Sequence, residues 1–200
     1  MNAADEGFGE VARALEEDAR LVALMLRVRD GDEAAFRELV EATEDRVYGT
    51  IAKMLGGVEG AEDLAQRVYV RIWQARERWQ PSAKFTTWMF SIVRRLALNE
   101  RRGRSRHGAV FYRPAADETL REPAGADSPS AEASAGDLAR AIDAALAALP
   151  AEQRAAMVLR RYEEMPYEDI AKVLGTSVPA VKSLLFRARE GLRVKLAAWL

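Results

Sequence analysis

Residues 167–181 read YEDIAKVLGTSVPAV, and this stretch decides the fold of the C-terminal part of the chain. A short helical segment leads to a turn at Gly175, and a second helix opens with Pro179, a residue favoured in the first turn of a helix. This order predicts a helix-turn-helix, although any corner between two helices can resemble it. What the motif does depends on the face that its second helix presents.

The second helix has one apolar stripe and one basic face when successive residues from Val178 are placed about 100° apart. The apolar stripe consists of Val178, Val181, Leu184, Leu185, Ala188 and Leu192. The remaining arc carries Lys182, Ser183, Phe186, Arg187 and Arg189. Basic and hydroxyl side chains contact phosphates and base edges, and an aromatic side chain can contact a thymine methyl group. The pattern favours binding in the DNA major groove over a merely solvated charged face.

The rest of the chain also shows helical periodicity, without the alternation typical of strands. Leu21, Leu24, Met25 and Val28 form one stripe, and Asp32 is placed to cap a next helix that ends at the glycines of 56–60. Further helices are predicted from Ala61 to Arg78 and from Thr86 or Thr87, either of which could be the cap, to Arg102. From Leu138 the apolar positions are Ile142, Leu146, Leu149, Ala155, Val158, Leu159 and Tyr162.

Residues 107–137 break this periodicity, because Pro, Ala, Ser, Gly and acidic residues dominate them. Such a composition is typical of a flexible linker. The predicted fold is therefore all-α, with two small helical domains at 1–106 and 138–200 joined by a flexible linker at 107–137.

The composition excludes several kinds of site. The 200 residues include one histidine and no cysteine, which excludes disulfides, cysteine-bound zinc and a multi-histidine metal site. Neighbouring acids such as Glu62 and Asp63 diverge on a helix, which argues against a carboxylate-metal hydrolase. We therefore expect no catalytic residue, no metal and no cofactor. Apolar runs fall short of the roughly 20 residues that span a bilayer, and the acidic start is unlike a signal peptide, so a cytoplasmic protein is expected.

The net charge of −1 hides a strong separation of charge along the chain. Residues 1–45 contain thirteen acidic and five basic residues, whereas 84–106 contain seven basic and one acidic residue. Residues 180–195 contain five basic residues and one acidic residue. Compact basic segments of this kind indicate an anionic partner, although a solvated helix face is an alternative.

The predicted fourth helix carries one of these basic segments. Its apolar side is formed by Trp88, Met89, Ile92, Val93 and Leu96, and its basic side by Arg94, Arg95, Arg101 and Arg102. A loop containing Trp79, Lys84 and Phe85 precedes it. Arginines beside aromatic side chains suit single-stranded or melting DNA, because phosphates pair with the former and bases stack on the latter. The alternative is that Phe85 and Trp88 belong to the core.

The predicted third helix has two apolar residues outside its inner stripe. Val70 and Trp73 lie beside Asp63, Gln66 and Arg71 on the polar side. An exposed Trp beside an apolar neighbour indicates a protein partner, since Trp is a common interface anchor. The alternative is a Trp covered by the neighbouring loop.

Taken together, these segments resemble a bacterial RNA polymerase sigma factor of the extracytoplasmic-function group of the sigma-70 family. Asp30-Gly31-Asp32 with Ala35-Phe36 resembles the start of the family's first domain. AEDLAQ at 61–66, continuing to Ile72-Trp73, resembles the core-polymerase-binding helix, and FTTWMFSIVR at 85–94 resembles the segment that engages the −10 element. Leu149-Pro150 and the stretch from Tyr167 to Arg189 resemble the second domain, which reads the −35 element.

The resemblance assigns roles to individual residues. The core-polymerase contacts would be Asp63, Gln66, Val70 and Trp73. The −10 contacts would be Trp79, Gln80, Ser82, Lys84, Phe85, Arg94, Arg95, Asn99, Arg101 and Arg102, with the loop of 79–84 capturing a flipped base. The −35 contacts would be Lys182, Ser183, Phe186, Arg187 and Arg189. The chain departs from the family pattern at Arg67, where Glu is frequent, at Arg95, where Asn is common, and in the loop of 80–83.

The implied partners are bacterial core RNA polymerase, through the clamp of its largest subunit and the flap of its second subunit, and promoter DNA. Many relatives are also held by an anti-sigma factor, so such a partner belongs to the expectation, whereas insertion into a membrane does not. Two other functions fit parts of the sequence. A stand-alone helix-turn-helix regulator would use only residues 138–200, and a sigma-like decoy would bind an inhibitor without binding DNA.

Overall fold

The computed structural model describes the backbone of residues 3–111 and 135–199, and the side chains of residues 15–103 and 136–199. Eight α-helices and no strand lie in the described backbone, which confirms the all-α prediction. The helices are α1 (Ala3–Arg29), α2 (Glu33–Leu55), α3 (Ala61–Ala75), α4 (Phe85–Phe111), α5 (Ala135–Ala147), α6 (Ala151–Arg161), α7 (Tyr167–Leu174) and α8 (Val178–Lys195). Short 3-10 turns follow α3 and α8, at Arg76–Arg78 and Ala197–Trp199. Of the predicted linker, residues 112–134 lie outside the described ranges.

Helices α1 to α4 form the first helical unit around a shared apolar core. The predicted stripe of α1 is buried, with Leu21, Leu24, Met25 and Val28 at most 5% exposed. Asp32 caps α2 as predicted, because its side chain accepts a hydrogen bond of 2.9 Å from the Ala35 N–H. The other fully buried large side chains of this unit are Leu39, Ile51, Leu64, Ile72, Phe85, Met89 and Phe90.

The start of α4 differs from the prediction. The helix begins at Phe85, and neither threonine stands before it as a cap. Instead the N–H and hydroxyl of Thr86 both donate to a carboxylate oxygen of Asp18, at 3.4 Å. An acidic residue of α1 thus accepts hydrogen bonds from the first turn of α4. The helix also continues to Phe111, beyond the predicted end at Arg102.

Helices α5 to α8 form the second unit, which contains the predicted helix-turn-helix. Gly175 ends α7 with a positive φ of 60°, and Ser177 caps α8 by accepting from the Ala180 N–H. Leu146, Leu149, Ala155, Val158 and Leu159 are buried as predicted. Tyr162, by contrast, is 42% exposed, because it follows the last residue of α6 and its ring lies instead against the Lys53 ammonium, at 4.6 Å.

The two units lie against each other, with α7 on α4 and with α5 and α6 on α2. Arg154 of α6 is 2% exposed at this junction and donates to the carbonyl oxygens of Ala147, Leu149 and, at 3.4 Å, Met54. Burial, with Arg101 as a smaller cause, lowers the pKa of Arg154 to about 10. The guanidinium thus ties the end of α2 to the α5–α6 corner.

Candidate nucleic-acid and protein interfaces

The outer face of α8 is an open basic surface. Val181, Leu185 and Ala188 face inward and are buried, while Val178, Leu184 and Leu192 are half-buried. The predicted −35 contacts lie on the opposite side, and all of them are exposed: Lys182, Ser183, Phe186, Arg187 and Arg189. Phe186 is 65% exposed, which is unusual for a large aromatic side chain without a partner. The face has the shape and chemistry of a helix that enters a major groove.

Two side chains of this face are held along their own helix. The Ser183 hydroxyl donates to the Pro179 carbonyl at 3.1 Å, and the Arg187 Nε donates to the Ser183 carbonyl at 3.3 Å. The terminal nitrogens of Arg187 take no part in this contact, and its Nε holds the guanidinium along the helix.

A second candidate surface surrounds the loop before α4. A cavity of about 180 Å³ is lined on the first unit by Trp79, Gln80, Ser82, Ala83, Thr87, Trp88 and Ser91. Gln80 and Ser82 are exposed polar residues at its mouth, and Trp88 is a half-buried wall. Polar groups above an aromatic wall are suited to an unpaired base, which offers both a ring face and hydrogen-bonding edges.

Two aromatic residues predicted to stack on DNA do not have a free face. Trp79 is 5% exposed and Phe85 is fully buried, and their ring centroids lie 6.2 Å apart. Trp88 completes the cluster, at 6.1 Å from Trp79 and 5.7 Å from Phe85. The prediction that Trp79 and Phe85 stack on bases is therefore wrong for this conformation, because both rings build the floor of the loop. For Phe85 the core alternative is the correct one.

The cations of α4 differ in how far they are exposed. Arg95, Asn99 and Arg102 lie exposed, whereas Arg94 and Arg101 are half-buried on the side that faces the second unit. The Arg94 guanidinium contacts the Glu152 carboxylate of α6 at 2.9 Å. Lys84, in the loop, is exposed and lies 3.6 Å from an Asp169 oxygen of α7.

An apolar groove lies between α2 and α3, with a volume of about 660 Å³. Val70 is 53% exposed there, and Trp73 is half-buried with its ring 5.0 Å from Phe36. The Arg76 guanidinium covers the other side of Trp73, at 4.2 Å. Asp63 and Gln66 are exposed on α3, about two turns and one turn before Val70, respectively. The sequence analysis left two alternatives for Trp73, an exposed side chain that binds a partner and a side chain covered by the neighbouring loop. The structure shows neither, because Trp73 is half-buried and forms a wall of the groove.

Sequence reasoning missed six residues of this groove. Beside Val70 and Trp73, its lining consists of Glu33, Phe36, Arg37, Val40, Tyr69 and Gln74. Phe36, Val40 and Tyr69 have the spacing of inward-facing helix positions, and this spacing carries no signal of the gap between α2 and α3. Tyr69 is partly buried and shares a hydrogen bond of 3.0 Å with the Thr43 hydroxyl, and burial raises its pKa to about 12.

Comparisons with known proteins assign these two units. The family model "Sigma-70 region 2" matches residues 39–107, and "Sigma-70, region 4" matches residues 139–192. The RNA polymerase sigma-H factor of Pseudomonas aeruginosa is 30% identical over 88% of this chain and 92% of its own length. The ECF RNA polymerase sigma factor SigE of Mycolicibacterium smegmatis is 36% identical over 84% of this chain and 65% of its own length. The chain belongs to the extracytoplasmic-function group of the sigma-70 family.

The solved structures agree with this assignment. The sigma factor RpoE of Bartonella quintana, solved in complex with the anti-sigma factor NepR, superposes on this sigma factor with a TM-score of 0.63. The two are 25% identical, and the match covers 81% of this chain and 96% of the other. None of the helices described in this sigma factor is long and apolar enough to cross a membrane.

One departure of this sigma factor from the family pattern has a structural counterpart. Arg67 lies exposed on α3, and its guanidinium contacts the Glu100 carboxylate of α4 at 3.1 Å. The positive charge on α3 is therefore paired within the first unit. Arg95, the second departure, is exposed and adds a cation to the outer side of α4.

Proposed function

We propose that this sigma factor is the promoter-specificity subunit of a bacterial RNA polymerase, and that each of its three surfaces binds a different partner. The groove between α2 and α3 binds the clamp of the largest subunit, the loop of 79–84 with α4 binds the melted −10 element, and α8 reads the −35 element. The observation that carries the proposal is that one apolar groove and two basic surfaces occur on two helical units in the order of regions 2 and 4.

On the −35 element, α8 lies in the major groove. Lys182, Arg187 and Arg189 supply cations for phosphates and guanine edges, and Phe186 supplies an apolar contact for a thymine methyl group. Because Arg187 is already held by the Ser183 carbonyl, little side-chain freedom is lost when it binds a base edge.

On the −10 element, an unpaired base enters the cavity beside Trp88, where Gln80 and Ser82 read its polar edge. The cations Lys84, Arg95 and Arg102, with Asn99, lie around this cavity and along α4 to hold the sugar–phosphate backbone. Trapping one base offsets the few kcal/mol that unstacking requires, so melting needs no nucleotide hydrolysis and no catalytic residue of this chain.

On the polymerase, the two units act together. The clamp fixes the first unit through Val70 and Trp73, with Asp63 and Gln66 at the edge of the contact, and the flap of the second subunit holds the second unit. Each DNA contact then raises the effective concentration of the other, which gives specific binding from two individually weak interactions. The site of action is the cytoplasm, where the chromosome and the polymerase lie.

By its likeness to the RpoE–NepR complex, the partners of this sigma factor also include an anti-sigma factor. Such a partner would compete with polymerase or DNA for the surfaces described above.

The test is transcription in vitro with bacterial core polymerase on a library of promoters with randomised −35 and −10 elements. We expect transcripts that depend on this chain and share two sequence elements. A gel-shift assay of the chain without polymerase distinguishes this function from that of a stand-alone regulator. A stand-alone regulator is expected to bind DNA tightly and specifically by itself, whereas the proposed subunit is not. A chain that binds core polymerase but never selects a promoter sequence would contradict the proposal and support the decoy.

A further inference from the structure

The ring of Trp73, which forms a wall of the groove between α2 and α3, is contacted by two neighbouring side chains. The Phe36 ring centroid lies 5.0 Å from that of Trp73, with an angle of 55° between the ring planes. The Arg76 guanidinium lies over the Trp73 ring, with its central carbon 4.2 Å from the centroid. A cation in this place is attracted by the negative face of the indole. Packing and electrostatics therefore both hold this ring.

Arg76 also binds the backbone of the residue whose ring it covers. Its Nη1 donates to the Trp73 carbonyl oxygen at 2.9 Å, and its backbone N–H donates to the same oxygen. Carbonyl groups in the last turn of a helix have no partner within the helix, and a cation there also meets the negative end of the helix dipole. One arginine thus contacts both the ring and the main chain at position 73.

The backbone that carries Arg76 is itself anchored. Arg76 is the first residue of the 3-10 turn Arg76–Arg78, which follows α3 and lies against α1. Trp79, the residue after this turn, is buried. The Nε of Arg76 is buried too and has no hydrogen-bond partner within the described part of the chain. Besides a contact of 3.3 Å with the exposed Glu77 carboxylate, the guanidinium is therefore held by Trp73.

Arg76 lies outside the groove that Trp73 helps to form. On α3 the lining of the groove consists of Tyr69, Val70, Trp73 and Gln74. A partner seated in the groove therefore contacts Trp73, whereas Arg76 supports the ring from outside the lining. A half-buried Trp without such support would have more rotamer freedom to lose when a partner binds.

We propose that Arg76 is a positioning residue for core-polymerase binding, because it holds the Trp73 ring in the orientation that forms the groove wall before the polymerase arrives. A side chain that is already ordered in the free protein loses less conformational entropy on binding, which raises affinity without any contact between Arg76 and the partner. The inference rests on the proposed function for the identity of that partner.

The first test is a double-mutant cycle, measured by titration of the full-length chain with labelled core polymerase. We expect Arg76→Ala to weaken binding about threefold to tenfold, which corresponds to the cost of ordering one large side chain on binding. In a Trp73→Ala background the same change should cost no further affinity, since Arg76 acts only through the ring. Arg78→Ala is the matched control, because it removes an exposed arginine from the same 3-10 turn, and it should bind like the wild type.

Three results of this cycle would overturn the inference. An equal loss from Arg76→Ala in both backgrounds would mean that the arginine contacts the polymerase directly. An equal loss from Arg76→Ala and Arg78→Ala would mean that only the positive charge of the turn matters. Unchanged affinity of Arg76→Ala would mean that the ring needs no support.

The second test observes the ring in the free chain, by fluorine NMR of protein labelled with fluorotryptophan. The sequence contains four tryptophans, and Trp73→Phe identifies the resonance of Trp73. We expect Arg76→Ala to shift this resonance and Arg78→Ala to leave it in place. An unchanged resonance in Arg76→Ala would overturn the inference. If the wild-type chain does not bind core polymerase, the proposed function fails, whereas this resonance still decides whether Arg76 holds the ring.

Discussion

Replacing Gly56 by Ala should destabilise the full chain far more than the same change at Gly31. Both glycines have positive φ, 85° and 92°, where a Cβ is strained by about 1–2 kcal/mol. At Gly31 an added Cβ meets no atom within 4 Å. At Gly56 it would lie 2.5 Å from an Arg154 nitrogen and 3.0 Å from the Ala147 Cβ.

The difference between the two variants isolates the contact between the units. Arg154 is 2% exposed and cannot swing into solvent, so its displacement breaks a hydrogen bond to the Met54, Ala147 or Leu149 carbonyl. Leaving a buried charged donor without its partner costs about 1–3 kcal/mol. We therefore expect the free energy of unfolding to fall by about 1 kcal/mol for Gly31→Ala and by about 2–4 kcal/mol for Gly56→Ala.

Urea unfolding of both variants, followed by circular dichroism, measures these losses. Gly31→Ala is the matched control, because it carries the backbone strain without the interdomain contact. Equal losses at the two positions would refute the reasoning, since they would mean that Arg154 and Ala147 do not lie against Gly56 in solution.

Three further predictions concern other parts of the molecule. Val70→Glu should leave the melting temperature unchanged but weaken binding to core polymerase about tenfold or more, because the glutamate charge must be desolvated against an apolar partner. Titration of the variant with labelled core polymerase measures the loss of affinity. Arg187→Ala should lose about 1–3 kcal/mol of discrimination at one −35 position in a base-substitution series, whereas an equal loss for every sequence would indicate a phosphate contact. The raised pKa of Tyr69, about 12 against an ordinary 10, means that only the unfolded chain ionises between these pH values, so stability falls as pH rises through that window. Tyr69→Phe should flatten part of that fall in unfolding measurements at pH 9 to 12, and an unchanged slope would contradict the assignment.

Local periodicity predicted the helices and most of the core correctly. The stripe from Leu21 to Val28, the Asp32 cap and the division of α8 all rest on neighbours three or four residues apart, and such neighbours share a face of any helix. The exposed side of α8, with Phe186 among basic residues, was predictable for the same reason. The residues with assigned roles on α3 and α8 lie outside the buried stripes of these helices, as their spacing of about 100° per residue predicts.

The loop before α4 shows where such reasoning ends. Trp79 and Phe85 have the same sequence signature whether their rings face solvent or fold under the loop, and the decision depends on Trp88 from the next helix. The groove beside Val70 has a similar origin, because Phe36 looks like an inner residue until the spacing of α2 and α3 is known. Contacts between distant helices, such as Arg94 with Glu152, leave no local pattern at all.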